Sequence, residues 1–205
     1  MRRPHMPIVA ALALALAAPA AAQGTVKTET ITPPAKAAPP NAAKGARNAG
    51  ELPEILRDAS ALPAPVREMR ERILAAARTG RLDAVAAVMR ASKSMPVFSF
   101  GGNGEPAELW RSLYPDSEGV EVLGILIDVL EAPFVHADRG TPQEMFVWPY
   151  FYAMPLDGLT PEQLVELFQL VTGADWREMQ EFGGYIFYRV GISPDGTWHF
   201  FVAGD

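Results

Sequence analysis

The chain has 205 residues, carries a net charge of −6 and contains no cysteine. It can therefore form no disulfide, and its stability must come from a packed apolar core. The charge is uneven, because residues 114–205 hold 15 acidic and three basic side chains. Such an acidic half argues against nucleic acid or an anionic membrane surface as the partner.

The first 22 residues have the pattern of a cleavable signal peptide. Arg2 and Arg3 precede an apolar run over residues 8–18, and Ala20 and Ala22 supply the small side chains before a cleavage site. The run is shorter than the roughly 20 residues that span a bilayer, so cleavage is favoured over an uncleaved anchor. Arginine outnumbers lysine 14 to 4, which is typical of a GC-rich bacterial gene. We therefore predict a soluble periplasmic or secreted protein whose mature chain has no transmembrane segment.

Residues 23–63 are expected to form a disordered linker, because they are rich in proline and alanine and contain no aromatic residue. The apolar cluster at residues 52–56 could dock on the domain or on a partner, but a transient helical turn is the favoured interpretation. All 19 aromatic residues lie at or after Phe98. Residues 64–205 are therefore predicted to form a single domain.

A helical hairpin is predicted over residues 64–95. Val66, Met69 and Ile73 repeat at helical spacing, Gly80 interrupts the pattern, and Leu82 resumes it. The hairpin is basic, and its arginines are expected to face solvent or the acidic half of the domain, with an acidic partner as the alternative. They are Arg67, Arg70, Arg72, Arg78, Arg81 and Arg90.

Further helices are predicted over residues 106–113 and 120–130. The first begins with proline at its first position, and the second is apolar almost all round, as in a buried helix. Its acidic stripe of Glu118, Glu121 and Asp128 is interpreted as the wet face of that helix, with a set of catalytic acids as the alternative.

Thr160, Pro161 and Gln163 have the pattern of a capping box that begins another helix. Its stripe is expected to be buried, and Gly173 is expected to end it. The stripe consists of Leu164, Leu167, Phe168 and Val171. A further short helix is predicted from Asp175 to the glycines at 183–184.

Strands are predicted at residues 134–138, 145–148, 185–192 and 197–202. The last two are joined by Ser193, Pro194, Asp195 and Gly196, which have the chemistry of a type I turn. Helices come first and strands mainly later. We therefore predict an α+β domain in which a helical hairpin and further helices pack on a small antiparallel sheet.

Aromatic residues around Pro149 are the main candidates for ligand binding. Alternation along a strand would place Trp148, Tyr150 and Tyr152 on one side and Phe151 on the other. Pro149 cannot donate to a ladder, so this strand is either an edge or leaves the sheet there. An exposed row of rings could stack on sugars or hold a peptide, whereas the alternative is that these rings belong to the core.

The candidates for acid–base chemistry are His136, Asp138, Glu144 and His199. His136 and Asp138 would share one face of a strand. If the strand of His199 were its neighbour, the three side chains could bind a divalent metal or act in acid–base chemistry. The chain has no HExxH motif, no cysteine ligand and no GxSxG motif. The motifs therefore indicate no metal site and no cofactor.

The sparse catalytic residues and the aromatic row favour an exported, non-enzymatic binding module of the cell envelope. Its partner would be a protein or the cell wall. One alternative is a periplasmic hydrolase acting on wall glycan or peptide. The other is a structural envelope protein that self-associates through the aromatic edge.

Overall fold

The computed structural model describes residues 52–100 and 104–204. Within them, six α-helices and a four-stranded antiparallel sheet confirm the predicted α+β class. The helices are α1 (Ala64–Ala77), α2 (Leu82–Arg90), α3 (Pro106–Leu113), α4 (Glu121–Glu131), α5 (Pro161–Phe168) and α6 (Gly173–Phe182). The strands are β1 (Val135–Ala137), β2 (Met145–Trp148), β3 (Arg189–Ile192) and β4 (Trp198–Val202).

The predicted signal peptide, residues 1–22, and the predicted linker up to residue 51 lie outside the described residues. None of the described helices combines the length and hydropathy that a membrane crossing requires.

The four strands lie side by side in chain order, and each neighbouring pair is antiparallel. β1 and β4 are therefore the outer strands. Both edges carry a further backbone bridge, from Leu56 to Phe134 beside β1 and from Val97 to Phe200 in β4. Covering the edges in this way limits the unpaired backbone groups that would otherwise attract another strand.

One face of the sheet packs on α1, α2 and α4. Trp148 from β2 and Val190 from β3 are fully buried in the same cluster as Ile73 of α1 and Leu126 of α4. Burying a side chain of this size stabilises the fold by roughly 1.5–3 kcal/mol. The apolar sequence of residues 120–130 therefore forms the central helix that it predicts, with Asp128 on its exposed side.

The opposite face packs on α5 and α6. Val147 of β2 lies in one cluster with Leu167 of α5 and Met179 of α6. The predicted capping box is present, because Thr160 accepts from the amide of Gln163 and the Gln163 side chain accepts from the amide of Thr160. The sheet is therefore covered by helices on both faces.

The junction between α5 and α6 differs from the prediction. Gly173 does not end a helix but is the first residue of α6, because Thr172 caps that helix with Asp175. α5 already ends at Phe168, whose side chain is 47% exposed instead of buried. The chain turns after Phe168, so the spacing that continues to Val171 does not stay on one helix face.

The last part of the predicted linker packs on the domain. We call residues 52–58 the strap. Leu56 in the strap exchanges two backbone hydrogen bonds with Phe134, at 2.8 and 2.9 Å, and Leu62 beyond it is buried. Packing therefore begins before Ala64, and residues 52–56 dock on the domain instead of forming the helical turn that the sequence favoured.

Gly119 precedes α4 with a φ of +85°, and a Cβ there would lie 2.9 Å from the backbone nitrogen of Arg111 and 2.8 Å from Cδ1 of Leu82. We expect Gly119→Ala to lower the free energy of unfolding by about 2–5 kcal/mol, because a left-handed backbone and overpacking both contribute. Urea unfolding measures this loss.

Gly140→Ala is the matched control, because Gly140 has a φ of +75° and nothing lies within 4 Å of its Cβ position. It should lose only the backbone contribution of about 1–2 kcal/mol. Equal losses in the two variants would show that close packing at Gly119 is unimportant.

Candidate functional site

The aromatic row around Pro149 does not lie on an exposed edge of the sheet. Trp148 and Tyr150 are 0% exposed, and Tyr152 is partly exposed. β2 is an inner strand, and beyond Pro149 the chain continues as a 3₁₀ turn over Tyr150–Ala153. The strand leaves the sheet at Pro149, so the expected alternation ends there. The structure therefore corrects the ligand-binding assignment of Trp148 and Tyr150, because both rings belong to the core.

Apolar packing alone holds the ring of Trp148 within the described residues. Its Nε1 atom is buried and has no hydrogen-bond partner there. The ring lies against that of Phe134, with 4.9 Å between the centroids. With 0% exposure, the ring of Trp148 presents no surface for a ligand to stack on.

Tyr150 has a polar partner at the domain surface. Its hydroxyl donates to Oε2 of Glu166 over 2.8 Å, and Nη1 of Arg57 donates to Oε1 of the same carboxylate over 2.6 Å. The network joins the strap, α5 and the turn after β2. Hydrogen bonds to a charged group stabilise more than bonds between neutral groups.

This network changes the acidity of its members. Partial burial raises the pKa of Glu166, but the hydrogen bonds from Arg57 and Tyr150 outweigh it, so the net pKa lies below the usual range. Burial and the bond to Glu166 both raise the pKa of Tyr150. Glu166 is therefore held as a carboxylate and Tyr150 as a neutral donor, which suits a structural contact better than proton transfer.

His136 and Glu144 form a pair that closes the β1–β2 loop. Their side chains approach to 2.7 Å, and the other oxygen of Glu144 accepts from the amide of Gly140 over 3.0 Å. The amide of Gly140 and then His136 lower the pKa of Glu144. Asp138 lies outside β1 with a φ of +52°, so it does not share a strand face with His136 as expected.

His199 belongs to the β3–β4 turn. Its Nε2 lies 2.9 Å from Oγ of Ser193, and Ser193 Oγ lies 2.5 Å from Oδ1 of Asp195. The Ser193 hydroxyl has one proton, which it donates in the hydrogen bond to the carboxylate of Asp195. Nε2 of His199 must therefore donate to Ser193 Oγ. A histidine that donates to serine cannot also take its proton, and this trio is therefore a turn contact and not a catalytic triad.

The structure separates the two histidines. His136 is in β1 and His199 is in β4, on opposite edges of the sheet. The set of His136, Asp138 and His199 that the sequence considered is therefore not assembled. Residues 52–100 and 104–204 contain no group of three or more His, Asp or Glu side chains placed to hold a metal ion.

An open groove of about 270 Å³ lies between the end of α4, the turn after β2 and α5. Three carboxylates line it, from Asp128, Glu131 and Glu166. Burial, and then the charge of Glu131, raise the pKa of Asp128. Arg78 pairs with Glu131 and Arg57 with Glu166, so the chain's own arginines already neutralise two of the three carboxylates.

The arginines of the helical hairpin contact the same domain at several points. Nε of Arg70 donates to the carbonyl oxygen of Leu130 over 2.9 Å, and Arg90 pairs with Glu105. Together with Arg78, they connect the basic hairpin to acidic or carbonyl groups elsewhere in the fold. These contacts agree with the intradomain interpretation of the basic face.

The outer face of α5 presents two exposed apolar side chains one helical turn apart. Val165 is 64% exposed and Phe168 is 47% exposed. Phe168 makes an edge contact with Trp176 of α6, with 6.2 Å between the ring centroids. We call Val165, Phe168 and Trp176 the α5 outer face. The sequence prediction missed it, because Phe168 falls at the same helical spacing as the buried stripe.

Comparison with known proteins adds no functional assignment. No protein-family model, no curated protein and no solved structure matches the chain. The function must therefore be inferred from the chemistry and exposure of its own side chains.

Tyr150→Phe should lower the free energy of unfolding by about 1–3 kcal/mol at pH 7, because it removes a hydrogen bond to a charged carboxylate. The pKa of Glu166 is lowered in the fold, so the stabilisation is complete above the carboxyl's unfolded pKa and disappears as pH falls through its folded pKa. The difference in free energy of unfolding between wild type and variant should therefore become smaller as the pH falls, as measured by urea unfolding from pH 7 to pH 3.

Tyr114→Phe is the control, because its hydroxyl donates to another tyrosine, Tyr188, over 3.0 Å. Neither partner titrates in that range of pH, so its stability difference should stay constant. A Tyr150→Phe difference that also stayed constant would contradict a role for the Glu166 carboxylate.

Proposed function

We propose that this chain is an exported, non-enzymatic binding module of the cell envelope and that the α5 outer face contacts its partner. The signal pattern of residues 1–22 supports export. The single observation that carries the binding role is the exposure of Val165 and Phe168 on one helix face. Apolar side chains grouped on a surface are typical of protein contact sites.

The charge around this face supports a basic partner. Residues 157–182, which contain α5 and α6, hold six acidic side chains and one basic side chain. Anionic wall glycan peptides would be repelled by such a surface, whereas a protein with apolar and basic side chains would complement it. A protein is therefore favoured over the cell wall as the partner.

The arrangement of the acid–base candidates favours binding over hydrolysis. His136 and Glu144 close one loop, and His199 belongs to a turn at the opposite edge of the sheet. Each group has a local structural contact. Trp148 and Tyr150 lie in the core and Tyr152 is only partly exposed, so we move the binding role from these rings to Phe168 and Trp176.

Phe168→Asp should abolish partner capture, because a buried charge at the centre of an apolar contact costs well over the 1.4 kcal/mol that corresponds to tenfold in affinity. The chain without residues 1–22 would be crosslinked in an envelope extract, and the captured protein identified by mass spectrometry. Raising the salt concentration should weaken capture, because the partner is basic.

Leu113→Asp is the matched control, because Leu113 is 54% exposed at the end of α3 and lies outside the α5 outer face. It should capture the same protein as the wild type. If both variants lost capture equally, or if Phe168→Asp kept it, the α5 outer face would be ruled out as the contact site. Sedimentation with isolated wall sacculi is a parallel test, in which pelleting of the wild type would favour the wall and released fragments would favour the hydrolase.

A further inference from the structure

The strap contacts residues that are distant from it in the sequence. Glu54 pairs with Arg139 over 3.1 Å, Leu56 bridges to Phe134, and Arg57 pairs with Glu166. The partners of Arg57 and Glu54 are 109 and 85 residues away along the chain. We call Phe134, Arg139 and Glu166 the strap site.

The ion pairs of the strap are exposed, and its apolar side chains Ile55 and Leu56 pack against the core while only partly buried. The side chain of Arg57 is 56% exposed and that of Glu166 is 24% exposed, whereas Glu54 and Arg139 are 66% and 53% exposed. Ion pairs at such positions typically stabilise by about 0.2–1 kcal/mol each. None of residues 52–58 is fully buried. A segment with few buried contacts opens at a lower free energy than the core.

The chain is packed in the core shortly after the strap. Leu62 is only 4% exposed and lies in the cluster that also contains Val66 of α1. Between Asp58 and Leu62 the chain forms a single 3₁₀ turn over Ala59–Ala61. Extended, these few residues would span about 13 Å. The strap can therefore detach from its site while α1 stays packed.

We propose that the strap of one chain docks on the strap site of a second copy, so that two chains exchange straps. The two copies are complementary, because a strap that leaves its own site can form the same backbone bridge and the same two ion pairs on the site of the second copy. Reciprocal exchange forms a closed pair with twofold symmetry and creates no new unpaired edge. This contact replaces the aromatic edge as the route of self-association, and it does not depend on the α5 outer face.

Concentration decides between the closed single chain and the exchanged pair. A strap on a short flexible hinge meets its own site at an effective concentration of about 1 mM. Exchange should therefore involve roughly 1% of chains at about 10 µM and roughly 10% at about 100 µM. It would be strong wherever the protein is crowded or held side by side.

The absence of cysteine from the sequence allows a direct test with the full-length mature chain. Glu54→Cys and Arg139→Cys would be prepared as separate variants, mixed, and treated briefly with a short bismaleimide crosslinker. We expect a crosslinked dimer whose yield rises about tenfold between about 10 and 100 µM. Adding the ion-pair change Arg57→Ala to the Glu54→Cys chain should leave the final yield about unchanged, because the contact with Glu166 is lost in the closed chain and in the exchanged pair alike, and it should speed the approach to that yield.

Two controls make the outcome decisive. The Glu54→Cys/Arg139→Cys double variant should crosslink within one chain, which confirms that the strap docks in solution. Glu54→Cys mixed with Asp116→Cys measures random collision, because Asp116 is exposed in the turn before the opposite end of α4. Exchange is refuted if the 54/139 mixture gives no more dimer than the 54/116 mixture, or if the double variant fails to crosslink internally.

Discussion

Apolar packing on both faces of a short sheet is the constraint on which the rest of this structure depends. The strands are three to five residues long, so backbone pairing alone would be marginal. Trp148 and Val190 bury one face against α1 and α4, and Val147 buries the other against the α5–α6 side. Without a disulfide, this burial must offset the conformational entropy of the chain.

The packing of the core determines which large apolar side chains remain at the surface. Trp148 and Tyr150 are large and aromatic, and the core takes both completely. The apolar side chains left outside are therefore the informative ones. Val165 and Phe168 stay exposed because α5 uses Leu167 for its buried side and ends directly afterwards. The surface that we propose for contact with a partner is thus the side of α5 that faces away from the sheet.

Charged groups mainly connect parts of the chain that are distant in sequence. The basic hairpin reaches the end of α4 through Arg78 and Glu131, and the strap reaches α5 through Arg57, Glu166 and the hydroxyl of Tyr150. Exposed pairs of this kind add little stability, but they fix which surfaces meet. The strap is held to the domain by such pairs, by one backbone bridge and by the partly buried side chains of Ile55 and Leu56, which is why we propose that it can exchange.

The sequence by itself determined the fold class, the helical hairpin, the buried α4 and the capping box at Thr160, because these depend on local spacing and local hydrogen bonds. Tertiary structure decided the rest. Alternation could not show that β2 is an inner strand and turns away after Pro149, and helical spacing could not show that α5 stops at Phe168. Composition alone indicated a free linker where Leu56 pairs with Phe134. Each of these outcomes depends on a partner far along the chain, and burial by a distant partner leaves no local pattern.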